Sequence, residues 1–132
     1  RGQGVKLLLD THILIWVAKD SPMLSSKARS LIANLDHEVY FSAASLWEVA
    51  IKNGLSRSGI VIDTVGLRRQ LLLNGYHELP ITAAHGMAVE KLPPIHRDPF
   101  DRLLFAQATL ESMQLLTADA LLSQYGAPAL QV

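Results

Sequence analysis

The run Val5-Lys6-Leu7-Leu8-Leu9 is nearly continuous in apolar residues and stops at Asp10. A strand with one face in water alternates apolar and polar residues. A strand covered on both faces, as in a parallel sheet, does not. The run therefore predicts a buried parallel strand with helices packed on either side.

Beyond Asp10 the chain alternates in the way such a sheet requires. His12 to Lys19 reads as a helix ended by Asp20-Ser21-Pro22. Ser25 or Ser26 is placed to cap a second helix, with Ala28, Leu31, Ile32 and Leu35 on one stripe. Val39-Tyr40-Phe41 is strand-like, and Ser42 to Asn53 reads as a mostly apolar helix closing at Gly54. Val65 to Leu73 is helical up to the stop pair Asn74-Gly75, and His77 to Ile81 predicts a short strand. Thr82 is placed to cap a helix running to Leu92, before Pro93-Pro94. Pro99 to Met113 is the clearest helix, followed by the strand Gln114 to Thr117, a short helix Ala120 to Tyr125 and an edge strand Ala129 to Val132. Strands alternating with helices imply right-handed crossovers and a three-layer α/β domain with a mainly parallel central sheet.

Composition excludes other classes. With 132 residues, 49% of them apolar and 18% charged, the chain is too hydrophobic to be disordered and suits one domain, taken as residues 5–132. Arg1 to Gly4 reads as an extension or expression scar. The absence of cysteine removes disulfide scaffolds, thiolate metal sites and cysteine nucleophiles, and fits a reducing, cytoplasmic setting. The longest wholly apolar stretch, Ile13 to Ala18, is far short of the ~20 residues that span a bilayer.

In an open parallel sheet, ligands bind outside the carboxyl ends of the strands. Asp10 follows the first strand. Glu48 lies in the second turn of the helix after the second strand, Asp101 in the first turn of the helix from Pro99, and Asp119 after the strand ending at Thr117. Singly, each has an ordinary explanation. Asp10 and Asp119 suit helix N-caps worth ~1 kcal/mol, Glu48 precedes Lys52 by four residues, and Asp98-Pro99-Phe100-Asp101 resembles a capping box. Together, these explanations weaken. A cap does not require a carboxylate, and Glu48 sits in the mostly apolar stretch Leu46 to Ile51. Carboxylates gathered in a partly buried cleft repel one another unless a cation is present. All-oxygen ligation suits Mg²⁺ or Mn²⁺, which serve phosphoryl chemistry.

Four segments carry a family resemblance: Leu7-Leu8-Leu9-Asp10-Thr11-His12; Ser42 to Lys52; His96-Arg97-Asp98-Pro99-Phe100-Asp101-Arg102-Leu103-Leu104 with Ala106-Gln107-Ala108; and Leu115-Leu116-Thr117-Ala118-Asp119. In this order they resemble the acidic motifs of PIN-domain ribonucleases, most of all the VapC toxins of type II toxin–antitoxin pairs. The resemblance spans Lys6 to about Tyr125. It implies a three-layer α/β/α PIN-like fold in which Asp10, Glu48, Asp101 and Asp119 hold one or two Mg²⁺ or Mn²⁺ ions, with Thr11 and Thr117 in support. The implied activity is endonucleolytic hydrolysis of single-stranded RNA by metal-activated water. The implied partners are a cognate VapB-type antitoxin, RNA and a second copy of the chain. Asp98 is assigned to capping and loop order ahead of metal contact, because the residue before a proline is disfavoured inside a helix.

One departure stands out: where the toxins continue past Lys52 with a Gly-Lys-Leu-like turn, this chain has Asn53 to Gly59. Arg97, Arg102 and Lys52 are placed to meet phosphates, and Arg102 equally to pair with Asp98. His12 and His96 read as orienting or structural residues. Trp16 and Trp47 read as core. A catalytically silent RNA- or protein-binding module is the competing function; another α/β phosphoryl enzyme ranks below it, since the phosphate-binding glycine motifs are missing. The twelve acids balance twelve Lys and Arg, but with four acids gathered in one pocket the rest of the chain carries a formal excess of four positive charges. That charge suits RNA once a cation fills the pocket.

Overall fold

The computed structural model describes residues 4–56, 59 and 61–132. Arg1 to Gln3 of the expected extension, and Arg57 and Ser58 of the departing turn, lie outside the described residues. Five strands, β1 (Lys6–Leu9), β2 (Glu38–Ser42), β3 (His77–Leu79), β4 (Gln114–Thr117) and β5 (Ala129–Gln131), form one sheet in the order β3-β2-β1-β4-β5. Every pairing in it is parallel. Around it lie α1 (Thr11–Ala18), α2 (Ser26–Ala33), α3 (Ala43–Leu55), α4 (Thr64–Leu73), α5 (Ala83–Ala88), α6 (Pro99–Leu110) and α7 (Ala120–Ser123). None of the described helices is long and apolar enough to cross a membrane.

The leucine run is explained by its position at the centre of the sheet. Leu7 and Leu9 point to one face, where they meet Ile13 and Leu14 of α1, Ala28 of α2 and Leu67 and Leu71 of α4. Leu8 points to the other, against Ala44 of α3, Leu104 and Ala108 of α6 and Leu122 of α7. All three leucines are fully buried, each contributing about 1.5–3 kcal/mol of transfer free energy. Two separate apolar clusters therefore share one strand, which makes three layers.

The topology also fixes where a site can form. From β1 the chain steps outward to β2 and β3, then returns to the opposite edge of β1 as β4 and continues to β5. The winding direction reverses between β1 and β4. The carboxyl ends of these two strands open onto the crevice where parallel α/β sheets bind ligands.

Some boundaries differ from the sequence expectations, each for a local reason. Helix α2 ends at Ala33, because the Asn34 side chain accepts the Asp36 N–H at 2.9 Å and makes a turn of its own. Leu35 is thereby left out of the apolar stripe and is 98% exposed. The helix capped by Thr82 stops at Ala88 and tightens into a single 3₁₀ turn, Val89–Lys91, since Leu92 must be extended before Pro93. Helix α3 continues through Gly54 to Leu55, and α6 ends at Leu110. The Asn53 side chain then pairs with both the N–H and C=O of Ile62, at 3.0 and 2.7 Å, as a strand neighbour would, and so closes the departing segment.

Replacing Leu8 with alanine should lower the free energy of unfolding by about 2–5 kcal/mol, and Leu35→Ala by less than about 0.5 kcal/mol. Urea titration of the two variants checks this. Comparable losses from both would contradict the placement of Leu35 outside the core.

Candidate metal centre

Asp10 leaves β1 with its backbone N–H donating to the Leu116 carbonyl of β4 at 3.0 Å. It is the N-cap of α1: Oδ1 accepts the Ile13 N–H at 2.8 Å, and the side chain is buried. The Thr117 hydroxyl, at the end of β4, hydrogen-bonds the same carboxylate and accepts the Asp119 N–H at 2.9 Å. Asp119 in turn caps α7, accepting from the N–H groups of Leu121 and Leu122 through Oδ1. Its Oδ2 is turned toward His96 Nε2, 2.9 Å away. A capping carboxylate uses one oxygen for the helix and keeps the other available.

Glu48 is as deeply buried as Asp10. The buried residues of α3 are Ala44, Ser45, Glu48 and Val49, while Trp47 on the adjoining face is 55% exposed and rests edge-on against Phe100 with ring centroids 5.1 Å apart. The expectation that Trp47 belongs to the core fails: α3 turns a carboxylate inward and an indole outward. Trp16, by contrast, is half-buried against the core. Both oxygens of Glu48 are engaged. Oε1 accepts from the Thr11 hydroxyl at 2.7 Å, with Ser45 Oγ 3.0 Å from the same hydroxyl, and Oε2 accepts from Lys52 Nζ at 2.7 Å. Lys52 is pushed up in pKa, chiefly by that hydrogen bond. Its ammonium, one of the groups expected to meet phosphate, is therefore tethered to Glu48 but still largely exposed.

Asp98 caps α6, its Oδ1 accepting from Phe100 N–H at 2.8 Å and Asp101 N–H at 3.3 Å. The reciprocal bond of a capping box is made differently here. The Asp98 N–H goes to His96 Nδ1 at 3.1 Å, which leaves the Asp101 carboxylate free to face the crevice. His96 Nε2 lies 3.1 Å from Asp101 Oδ2, and the His96, Asp101 and Asp119 donor atoms all fall within 4.8 Å of one another. Arg102 takes neither position read from the sequence. Its guanidinium donates to the carbonyls of Val89, Leu92, Pro93 and His96 and to the Tyr125 hydroxyl, at 3.0–3.3 Å. Five acceptors hold it as a brace for the loop that carries His96, away from both Asp98 and phosphate. His12 is exposed beside Trp16, and Arg97 is exposed.

The electrostatics of the pocket are those of unbalanced negative charge. Burial is the largest cause pushing Asp101 up to about 7, and the charges of Asp98, Asp10 and Glu48 add to it against His96. Asp10 is also raised, mainly by burial, with Asp119 contributing. Burial pushes Asp119 upward too, but the bonds from His96, Leu121 and Leu122 outweigh it and bring this carboxyl below its ordinary value. The charges of Asp10 from β1 and Glu48 from α3 thus reach Asp101 on α6, and that of Asp119 at the end of β4 reaches Asp10.

A family model, the PIN domain, matches residues 7–128. The chain belongs to the PIN-domain family. This PIN domain is 29% identical over 124 residues to Ribonuclease VapC22 of Mycobacterium tuberculosis, covering 92% of this chain and 93% of that protein. Among solved structures, it resembles VapBC2 from Rickettsia felis bound to a DNA fragment from its promoter, with a TM-score of 0.66, 14% identity and coverage of 96% and 97%. It also resembles VapC20 of Mycobacterium tuberculosis, a sarcin-ricin loop cleaving toxin, with a TM-score of 0.65, 17% identity and coverage of 91% and 95%. At those identities the structures establish that the PIN fold is shared.

Tyr125 is not legible in the sequence as a contributor to the pocket, and Ser45 is so only by its place beside Glu48. Tyr125 accepts from Arg102 and from the His96 N–H while donating to the Pro93 carbonyl, and nothing in its local spacing announces this. Ser45 carries one signal: it lies three residues before Glu48, on the same helical face.

Because Asp101 is raised, the metal-free folded state binds a proton between about pH 4 and pH 7 that the unfolded chain has released. Its contribution to stability therefore falls as pH rises through that window. Asp101→Asn, which mimics the protonated acid, should be more stable than the parent at about pH 8, with the gap shrinking steadily on acidification and closing only near about pH 4. Thermal melts in a metal chelator check the sign. A gap that widens on acidification would refute the assignment of the raised group.

Proposed function

We propose that this PIN domain is a divalent-metal-dependent endoribonuclease and the toxin of a type II toxin–antitoxin pair. The observation that carries the reading is the Asp101 carboxyl at the sheet's reversal point, pushed up to about 7 first by burial and then by the charges of Asp98, Asp10 and Glu48, the last two of which come from other elements. A donor set of carboxylate oxygens with surplus negative charge fits a hard cation, Mg²⁺ or Mn²⁺. Asp10, Glu48, Asp101 and Asp119 would hold it. When bound, such an ion lowers the pKa of water and offsets the charge that develops on a phosphodiester.

The chain's own residues supply the rest. Thr11 and Lys52 fix the orientation of Glu48, and the Ile13 N–H and Thr117 hydroxyl fix that of Asp10. Asp101 would have to be deprotonated to hold the cation, so cation affinity should rise with pH up to about 7. No side chain need act as a covalent nucleophile. Lys52 and Arg97, both exposed near the pocket, are available to neutralise phosphates, and the basic remainder of the chain favours RNA. The toxin assignment is supported by the relatives, a ribonuclease named VapC22 and a solved VapBC assembly. It brings with it a cognate VapB-type antitoxin, a homodimer and a cytoplasmic location.

Purified protein should cleave single-stranded RNA with Mg²⁺ or Mn²⁺ and lose activity in chelator. Asp10→Asn and Glu48→Gln should each lower the cleavage rate by about a hundredfold or more. Equal cleavage by parent and variants would reject the assigned site. Metal binding without any cleavage would favour a silent binding module.

A further inference from the structure

Among the donors around the pocket, His96 is the one whose ring is fixed from both sides. Nδ1 accepts the Asp98 N–H at 3.1 Å, so the ring proton resides on Nε2. Nε2 lies 2.9 Å from Asp119 Oδ2 and 3.1 Å from Asp101 Oδ2. The backbone on either side of the ring is held as well: the His96 N–H donates to the Tyr125 hydroxyl at 3.1 Å, and its carbonyl accepts from Arg102 at 3.3 Å. The residue is only 9% exposed.

We infer that His96 is a positioning residue that donates from Nε2 to Asp119, with the Asp101 carboxylate close beside the same nitrogen, and keeps the Asp119 oxygen aimed at the cation site without ligating the cation. The inference rests on the nuclease reading for the identity of that cation. Its proximity to two carboxylates would by itself suit a ligand. The tautomer argues otherwise. To coordinate through Nε2, the ring would have to carry its proton on Nδ1. That proton would point at the Asp98 N–H, setting donor against donor at the N-cap of α6 and costing one cap bond. A hard cation with carboxylates at hand gains little from imidazole in exchange. In this tautomer His96 does two things at once: it takes the N–H that a capping box would assign to Asp101, and it restrains Asp119 beside the freed Asp101 carboxylate. Residues that orient ligands in this way typically change metal affinity 10–100-fold when removed.

Nitrogen-15 spectra of the full chain labelled at histidine read the tautomer directly. In metal-free protein, His96 should carry its proton on Nε2, and saturation with Mg²⁺ should leave it there. A proton on Nδ1 in the metal-free protein, or transfer from Nε2 to Nδ1 on adding Mg²⁺, would overturn the inference. Two variants separate the ring nitrogens. His96→Gln can place an amide donor near the former Nε2, and His96→Asn can keep only an acceptor near Nδ1. Mn²⁺ titration calorimetry should show His96→Gln within about threefold of the parent and His96→Asn weaker by about tenfold or more. The opposite ranking would also overturn it. If the parent bound no Mn²⁺, the nuclease reading would fall, and the metal-free spectrum would still decide the role of His96.

Discussion

The pairing of β1 with β4 is the constraint on which the site depends. Leu9 sits in register with Leu116, and the next hydrogen bond, from Asp10 N–H to Leu116 C=O, is the last before both strands end. It holds Asp10 beside Thr117, so that the Thr117 hydroxyl reaches the Asp10 carboxylate and receives the Asp119 N–H. Residues from opposite ends of the chain are thus brought into contact by a ladder that the leucine clusters stabilise from both faces. A one-residue slip would send Leu8 and Leu115 to the wrong clusters and separate the acids at the same time. Core packing and site geometry are therefore enforced by the same register.

Helix α3 shows the reverse priority. Its sequence offers Leu46, Trp47, Val49 and Ile51 for burial, yet the face turned inward includes Ser45 and Glu48. Taking a carboxylate from water is costly unless it is hydrogen-bonded and paired, and here both oxygens of Glu48 are satisfied by Thr11 and Lys52. Exposing Trp47 forfeits apolar burial that Phe100 restores only in part. A helix whose orientation was set by hydrophobicity alone would sit rotated. Local departures of this kind, where one residue type is placed against its ordinary preference, are characteristic of functional surfaces.

Much of the fold is legible in the sequence because it rests on period and punctuation. The leucine run, the Ser25 and Thr82 caps, the Asp98-Pro99 helix start and the Asn74-Gly75 stop are local signals, and the structure places elements where they fall. Their order also locates three of the acids, since Asp10, Asp101 and Asp119 each follow a strand or open a helix, while Glu48 lies in the second turn of α3. The features that stay hidden depend on contacts between distant segments. The five bonds of Arg102 are to carbonyls in a loop that no periodicity describes, plus a hydroxyl on the far side of β4, so its sequence neighbours suggest phosphate or Asp98 instead. Leu35 departs from its expected place for the opposite reason: its stripe is correct, but the Asn34 side chain ends the helix first.

The choice of acids as caps follows from having two oxygens. Serine or asparagine would satisfy the first-turn N–H groups of α1 and α7 about as well. Neither would leave a second anionic oxygen facing the crevice, as Asp119 does with Oδ2 toward His96 while Oδ1 caps α7. The same division of labour is split across two residues at α6. Asp98 caps, and Asp101, relieved of the reciprocal bond by His96 Nδ1, supplies charge to the pocket. Capping thus orients carboxylates that could not otherwise be held close together against their repulsion, because each is anchored to the start of a helix, where the backbone dipoles favour negative charge. The ordinary structural role and the chemical role of these residues reinforce each other: the helix starts aim the ligands, and the surplus charge of the ligands calls for the cation.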